Sequence, residues 1–195
     1  NKGSHMIIAK LPLHGAYQID QEIHKDDRGF FARLFCQQEL SAYGLDLNIV
    51  QVNYSQSVEK GTLRGLHFQR PPKTENKIVR CLRGAIWDVI VDLRKDSPTV
   101  GQWTALELSE SNRTMMYVPE GFAHGFLSLT DDSEVIYFVT EFYAPDHEGT
   151  VRWDDPVIGI KWPAEPVVIS DKDANASTFY HILEFYNSSE NIQCR

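Results

Sequence analysis

The chain is 195 residues long, 42% hydrophobic and 11% aromatic, with a formal net charge of −8. This is the composition of one packed domain rather than of a disordered or fibrous chain, and its acidic surplus opposes phosphate polymers, so no nucleic-acid partner is expected. Cys36, Cys81 and Cys194 are odd in number, widely spaced and without a Cys-x-x-Cys pair, which excludes a disulfide framework or zinc cluster and leaves reduced thiols.

In chain order, residues 1–5 read as an expression-tag remnant ahead of Met6, the expected natural start of a single domain over residues 6–195. No charged-then-apolar leader follows Met6, and no apolar run approaches the roughly 18 residues of a membrane span, so the expectation is a cytoplasmic protein with no membrane partner. Residues 37–43 have helical character, with Gly44 suited to the C-cap. Over residues 51–162 the apolar positions recur mostly with period two, punctuated by turn residues, which predicts an all-β sandwich or barrel with a few short helices.

Within that stretch, residues 78–83 and 85–93 read as two strands around a tight turn at Gly84. In the second, Trp87, Val89, Val91 and Leu93 form a core face, while Ile86, Asp88, Ile90 and Asp92 form a mixed one. Thr104, Leu106 and Leu108 alternate with Ala105 and Glu107, and residues 114–118 make another short strand. Residues 125–129 lead through Thr130-Asp131-Asp132-Ser133 into residues 135–140, which reads as a hairpin. Residues 156–166 are Pro-rich and irregular, and a helical stretch is expected near residues 181–186.

Two Gly-flanked, strand-like segments each deliver one histidine: Arg64-Gly65-Leu66-His67-Phe68-Gln69 and Pro119-Glu120-Gly121-Phe122-Ala123-His124-Gly125-Phe126. A β-scaffold that aims two imidazoles at one space builds either a metal site or an acid/base site. The adjacent Asp154 and Asp155 invite comparison with glycosidase carboxylates, but Trp153-Asp154-Asp155-Pro156 is a turn signal, and both are expected to cap or to face solvent.

Gly65-Leu66-His67 through Gly84, followed by residues 119–124, resembles the two motifs of the cupin superfamily, a jelly-roll fold. More narrowly, the chain resembles the dTDP-4-dehydrorhamnose 3,5-epimerase family. That resemblance is carried by Asp27-Arg28-Gly29-Phe30-Phe31, residues 64–69, Asp88-Val89-Ile90-Val91-Asp92-Leu93-Arg94, residues 119–126, Trp153-Asp154-Asp155-Pro156 and Ile169-Ser170-Asp171-Lys172-Asp173, in the same order from about Ile8 to Asp173. Metal-binding cupins offer His-x-His and a Glu from the first motif and a His from the second; here Gln69 occupies the second histidine position and no Glu is found downstream near Lys77, so no metal is expected.

The resemblance implies a cofactor-independent epimerase that inverts C3 and C5 of dTDP-4-dehydro-6-deoxy-D-glucose. His67 would be the base, Asp173 its partner, Lys77 the cation near the C4 carbonyl oxygen, and Tyr137 the acid on the opposite face of the ring. By the same resemblance Arg64 contacts sugar or phosphate, Arg28, Gln51 and Asn53 are further ligand contacts, and His124 contacts the sugar. Tyr143 would stack on the thymine, with Glu148 and Lys172 as additional contacts. Alternation places Tyr137 on one face with Val135 and Val139, which by itself does not separate core from cavity. Arg33 departs from the family pattern, standing near the implied nucleotide end where a glutamate is common. The resemblance also implies a homodimer whose N-terminal strands pair with the partner's sheet and carry Arg28 toward the partner's site. A mono-epimerase of a related dTDP-4-keto-6-deoxysugar, a metal-dependent cupin enzyme and a non-enzymatic sugar-nucleotide binder are the alternatives.

Overall fold

The computed structural model describes residues 5–45 and 47–187. Cys194 and residues 1–4 of the expected tag remnant lie outside the described residues. The chain begins with β1 (Met6–Lys10) and β2 (Tyr17–Gln21), then β3 (Ile23–Asp26) and β4 (Gly29–Ala32), then helix α1 (Gln37–Ser41). Eight more strands follow: β5 (Gln51–Ser57), β6 (Thr62–Gln69), β7 (Lys77–Arg83), β8 (Ala85–Asp92), β9 (Trp103–Ser109), β10 (Met115–Val118), β11 (Phe122–Ser128) and β12 (Ser133–Val139). Two short strands, β13 (Glu148–Thr150) and β14 (Val168–Ile169), precede helices α2 (Asp171–Ala174) and α3 (Phe179–Asn187).

These strands form two facing sheets, a jelly-roll sandwich, as the period-two pattern and the cupin resemblance predict. One sheet has the order β1-β2-β10-β7-β12-β5, the other β13-β6-β11-β8-β9, with β14 running parallel beside β6. The β3–β4 hairpin stands apart as a two-stranded sheet. Val79, Ile86, Ile90, Phe126 and Val135 fill the space between the sheets. On the outer face of β8, Val89, Val91 and Leu93 are covered by Ile158, Phe179 and Ile182 from the C-terminal segment. Both faces of β8 are therefore buried, and the mixed face is the interior one, with Asp88 and Asp92 fully enclosed.

The turn at Gly84 (φ +71°) does not close a hairpin, because β7 belongs to one sheet and β8 to the other. The same holds for the predicted hairpin across residues 129–132: β11 pairs with β6 and β8, whereas β12 pairs with β5 and β7. Turn chemistry marks where a chain reverses, but not whether the next strand pairs beside the last or opposite it. The two sheet-to-sheet crossings lean on each other. A Cβ on Gly84 would lie 2.2 Å from Thr130 Oγ1, and Thr130 Oγ1 accepts a hydrogen bond from Ala85 N at 3.1 Å.

Helix α1 is shorter than residues 37–43, but Gly44 closes it as expected: with φ +75° it donates to Ser41 O while Leu45 N donates to Leu40 O. Helix α3 spans the expected helical stretch, and its first N–H, at Phe179, donates to Asp155 Oδ2 at 2.8 Å. Asp155 is a buried capping residue that also accepts from Val157 N and Ile158 N, and Asp154 is an exposed partner of Arg152, so neither forms a carboxylate pair. No helix among the described residues is long and apolar enough to cross a membrane.

Candidate active site

A cavity of about 430 Å³ opens between the sheets. Arg64 and His67 reach it from β6, Lys77 from β7, His124 from β11, Tyr137 from β12, and Lys172 and Asp173 from α2. A smaller lobe of about 120 Å³ adjoins it, shares His67, Lys77 and Tyr137, and adds Gln51, Asn53, Tyr143 and Glu148. Strand alternation explains this convergence: Tyr137 lies between buried Val135 and Val139, and Lys77 precedes buried Val79 and Cys81, so one face is core along most of its length and cavity at these two positions. Of the residues expected at the site, Arg28 alone is elsewhere. It sits at the tip of the β3–β4 hairpin, exposed and paired with Asp26.

His67 Nε2 and Asp173 Oδ1 are 2.7 Å apart. A carboxylate only accepts, so Nε2 carries the ring proton and Nδ1 is left as the basic nitrogen. Asp173 is brought there by β14, which lies parallel to β6, and by Ser170, whose side chain caps α2 by accepting from Asp173 N. Its second oxygen accepts from Gly65 N at 3.1 Å. Burial opposes ionisation of this carboxyl, but the hydrogen bond and charge of His67, with the Gly65 N–H, outweigh it and hold its pKa below the ordinary aspartate value.

The close approach of β6 and β11 depends on glycine. Gly65 has φ +117°, and a Cβ there would lie 2.6 Å from Gly125 Cα. With no side chains between them, the strands place His67 and His124 as direct register partners. His124 has its own carboxylate, Asp88 Oδ1, 2.7 Å from Nε2. Asp88, read in the sequence as a polar position on a mixed strand face and as part of a resemblance motif but given no role, is fully buried, and its Oδ2 has no partner among the described residues.

Lys77 Nζ is 2.9 Å from Glu75 Oε1. This corrects the expectation that no glutamate stands near Lys77: Glu75 is there, but as the partner of a lysine. Among the described residues no three His, Cys, Asp or Glu side chains gather so as to hold a metal ion. Tyr137 has its pKa raised by burial first, then by the charge of Glu75 and, more weakly, of Glu148, with Arg64 opposing. Gln69, at the position of a cupin metal ligand, is instead a buried structural amide. It accepts from Ala144 N at 2.6 Å and donates to Lys73 O and Phe142 O at 2.8 and 3.2 Å, which fixes the loop that carries Tyr143.

At the outer rim Tyr143 Oη donates to Glu148 Oε2 at 3.0 Å, and Lys172 Nζ reaches the same oxygen at 2.7 Å. Burial works against the Glu148 charge, but Lys172 and Tyr143 prevail and lower its pKa. Gln51 donates to Asn53 Oδ1 at 3.0 Å and accepts weakly from Tyr143 N at 3.4 Å. Arg64 is held by Ser57 Oγ and Gln56 O. Arg33, expected near the nucleotide end, binds Glu39 at 2.6 Å and lines neither lobe of its own chain.

The family model described as dTDP-4-dehydrorhamnose 3,5-epimerase matches residues 10–181. A protein of that name from Methanothermobacter thermautotrophicus is 50% identical over 169 residues, covering 85% of this chain and 90% of its own. The crystal structure of the Bacillus anthracis enzyme of the same name, with TDP and PPi bound, superposes with a TM-score of 0.86 at 42% identity over 89% of this chain and 99% of the other. A Legionella pneumophila dTDP-6-deoxy-D-glucose-3,5-epimerase in complex with dTDP-4-keto-L-rhamnose superposes with a TM-score of 0.86 at 39% identity, covering 91% and 95% of the two chains.

Proposed function

The chain belongs to the dTDP-4-dehydrorhamnose 3,5-epimerase family, and from that premise we propose that it is an isomerase inverting C3 and C5 of dTDP-4-dehydro-6-deoxy-D-glucose to give dTDP-4-dehydro-L-rhamnose. The observation that carries the reading is the His67–Asp173 pair sharing one cavity with Lys77 and Tyr137.

A hydrogen beside the C4 ketone is acidic because the electron pair left behind moves onto the carbonyl oxygen. His67 takes that proton at Nδ1, and Asp173 stabilises the imidazolium that results. The Lys77 ammonium, its side chain only 10% exposed, faces the developing enolate oxygen, where a fixed charge acts strongly. Tyr137 gives a proton to the carbon from the opposite side as the ketone re-forms, and the centre is inverted. Each inversion leaves one proton on His67 and takes one from Tyr137, so both groups must exchange with water before they act again. In heavy water the product should therefore gain two deuterons, one each at C3 and C5. No uptake at either carbon would overturn the reading, and a single deuteron would reduce it to one inversion.

The binding groups follow the charge of a nucleoside diphosphate sugar. Arg64 and Lys172 suit the diphosphate, and the exposed ring of Tyr143 suits a stacked thymine. Gln51, Asn53, His124 and Glu148 supply hydrogen bonds along the same two lobes. Phe30 and Phe31 on the β3–β4 hairpin are left largely exposed, and a homodimer in which this hairpin lies over a second copy covers them and carries Arg28 to the partner's cavity. Light scattering should find a dimer, and a stable monomer would remove Arg28 from the site. A reducing cytoplasmic setting fits the free thiols of Cys36 and Cys81.

A further inference from the structure

Glu75 stands two residues before Lys77, in the segment that leads into β7, and its Oε1 lies 2.9 Å from Lys77 Nζ. Asn76 is anchored separately. Its Oδ1 accepts from Tyr117 Oη at 2.8 Å and from Glu120 N at 3.0 Å, and its N–H donates to Thr140 Oγ1 at 2.9 Å. Glu75 and Lys77 meet inside the cavity, with only 12% and 10% of their side chains exposed. An enolate oxygen gaining negative charge would be better served by a lysine with no carboxylate attached, so the acid beside it calls for a reason of its own.

We propose that Glu75 is a positioning residue of the epimerase reaction, holding Lys77 as an aimed ammonium where the two lobes of the cavity meet. The inference rests on the epimerase reading above. An enclosed amine without a counter-charge gives up its proton rather than carry a desolvated charge. Glu75 supplies a counter-charge at 2.9 Å and occupies one of the three N–H bonds of the ammonium, leaving two to meet a substrate oxygen. The same carboxylate is the charge that, after burial, most opposes loss of the Tyr137 proton.

The remaining charged and titratable groups around this corner are committed elsewhere. From β6, His67 is bound to Asp173 and Arg64 is held by Ser57 and Gln56. From β11, His124 is bound to Asp88. From β13, Glu148 is shared by Tyr143 and by Lys172 of α2. Glu75 is thus the acid bound to the lysine that faces the enolate oxygen.

The test is Glu75→Gln, which keeps shape and removes charge, with Glu75→Asp as the control that keeps charge. In E75Q, kcat should fall about 10-fold and the alkaline limb of its pH profile should move down by about one pH unit, while affinity for dTDP alone changes less than about 2-fold. E75D should leave the limb in place. A limb unmoved in E75Q, or moved equally in both variants, would overturn the proposal, the latter by making packing rather than charge the cause. If E75Q does not fold, NMR of the unaltered protein decides: a Lys77 amine signal coupled across a hydrogen bond to the Glu75 carboxyl supports the proposal, and an amine with no such coupling overturns it. Absence of turnover in the unaltered protein would instead remove the epimerase reading itself.

Discussion

His67 and His124 are register partners on adjacent strands, and each binds its own aspartate at 2.7 Å. The two pairs differ in access and in what surrounds the acid. The His67 side chain is 34% exposed into the cavity and that of His124 10%. Asp173 uses its second oxygen on Gly65 N, whereas the second oxygen of Asp88 has no protein partner. The open, fully braced pair is the one suited to moving a proton repeatedly, because its carboxylate neither turns nor seeks another donor.

His67→Asn should lower kcat by about 10²–10⁴-fold, the usual contribution of a general base, with dTDP affinity within a few-fold of the parent. Steady-state rates and nucleotide titration check it. A variant with parental kcat would move the base elsewhere, with His124 the next candidate.

The Tyr137→Phe variant separates proton removal from proton return. Its product formation should fall by about 10²-fold or more, while hydrogen at C3 still washes out into heavy water with retained configuration, seen by NMR of the substrate. Undiminished double inversion in this variant would take the acid role from Tyr137.

Acid stability should follow Asp173. Its folded pKa is depressed, so its ionised form stabilises the fold fully above the unfolded value of about 3.9, and that stabilisation is lost as pH falls through the lower folded value. Urea midpoints should therefore drop more steeply below about pH 4 for the parent than for Asp173→Asn, which has nothing there to lose. Parallel curves would show that the His67 pair contributes nothing to stability.

Gly65→Ala should destabilise the fold by about 1–3 kcal/mol or more, because φ +117° disfavours a side chain and the new Cβ would meet Gly125 Cα at 2.6 Å. It should also lower turnover, since His67 and the Gly65 N–H that binds Asp173 share this stretch of β6. A melting temperature equal to the parent's would show that β6 and β11 can separate without cost.

Alternation read the strands and their faces well, since burial on a pleated strand repeats every second residue whatever the partner strand is. It could not say that β8 is covered on its outer side by Phe179 and Ile182, nor that β11 and β12 lie in opposite sheets, because those facts depend on residues far away in the chain. At the site, His67, Lys77 and Tyr137 were legible through motif resemblance, and the structure brings them to one cavity. Asp88 and Glu75 were missed for a common reason. Asp88 was read only as part of a mixed face and a motif, and Glu75 not at all; each becomes significant only through the imidazole or ammonium that the fold sets beside it. Gln69 was legible as a missing ligand, but its work of pinning the Tyr143 loop shows only in its hydrogen bonds.

Asp173 follows His67 by 106 residues, and it reaches the imidazole only when β14 has docked beside β6 and Ser170 has capped α2. During synthesis the imidazole therefore emerges long before the acid that is to orient it exists. Without the late segment the ring lacks the carboxylate bonded to its Nε2 and the cavity lacks part of its wall. The wall that Val168, Ile169 and Asp173 give the cavity is thus built from the late part of the chain.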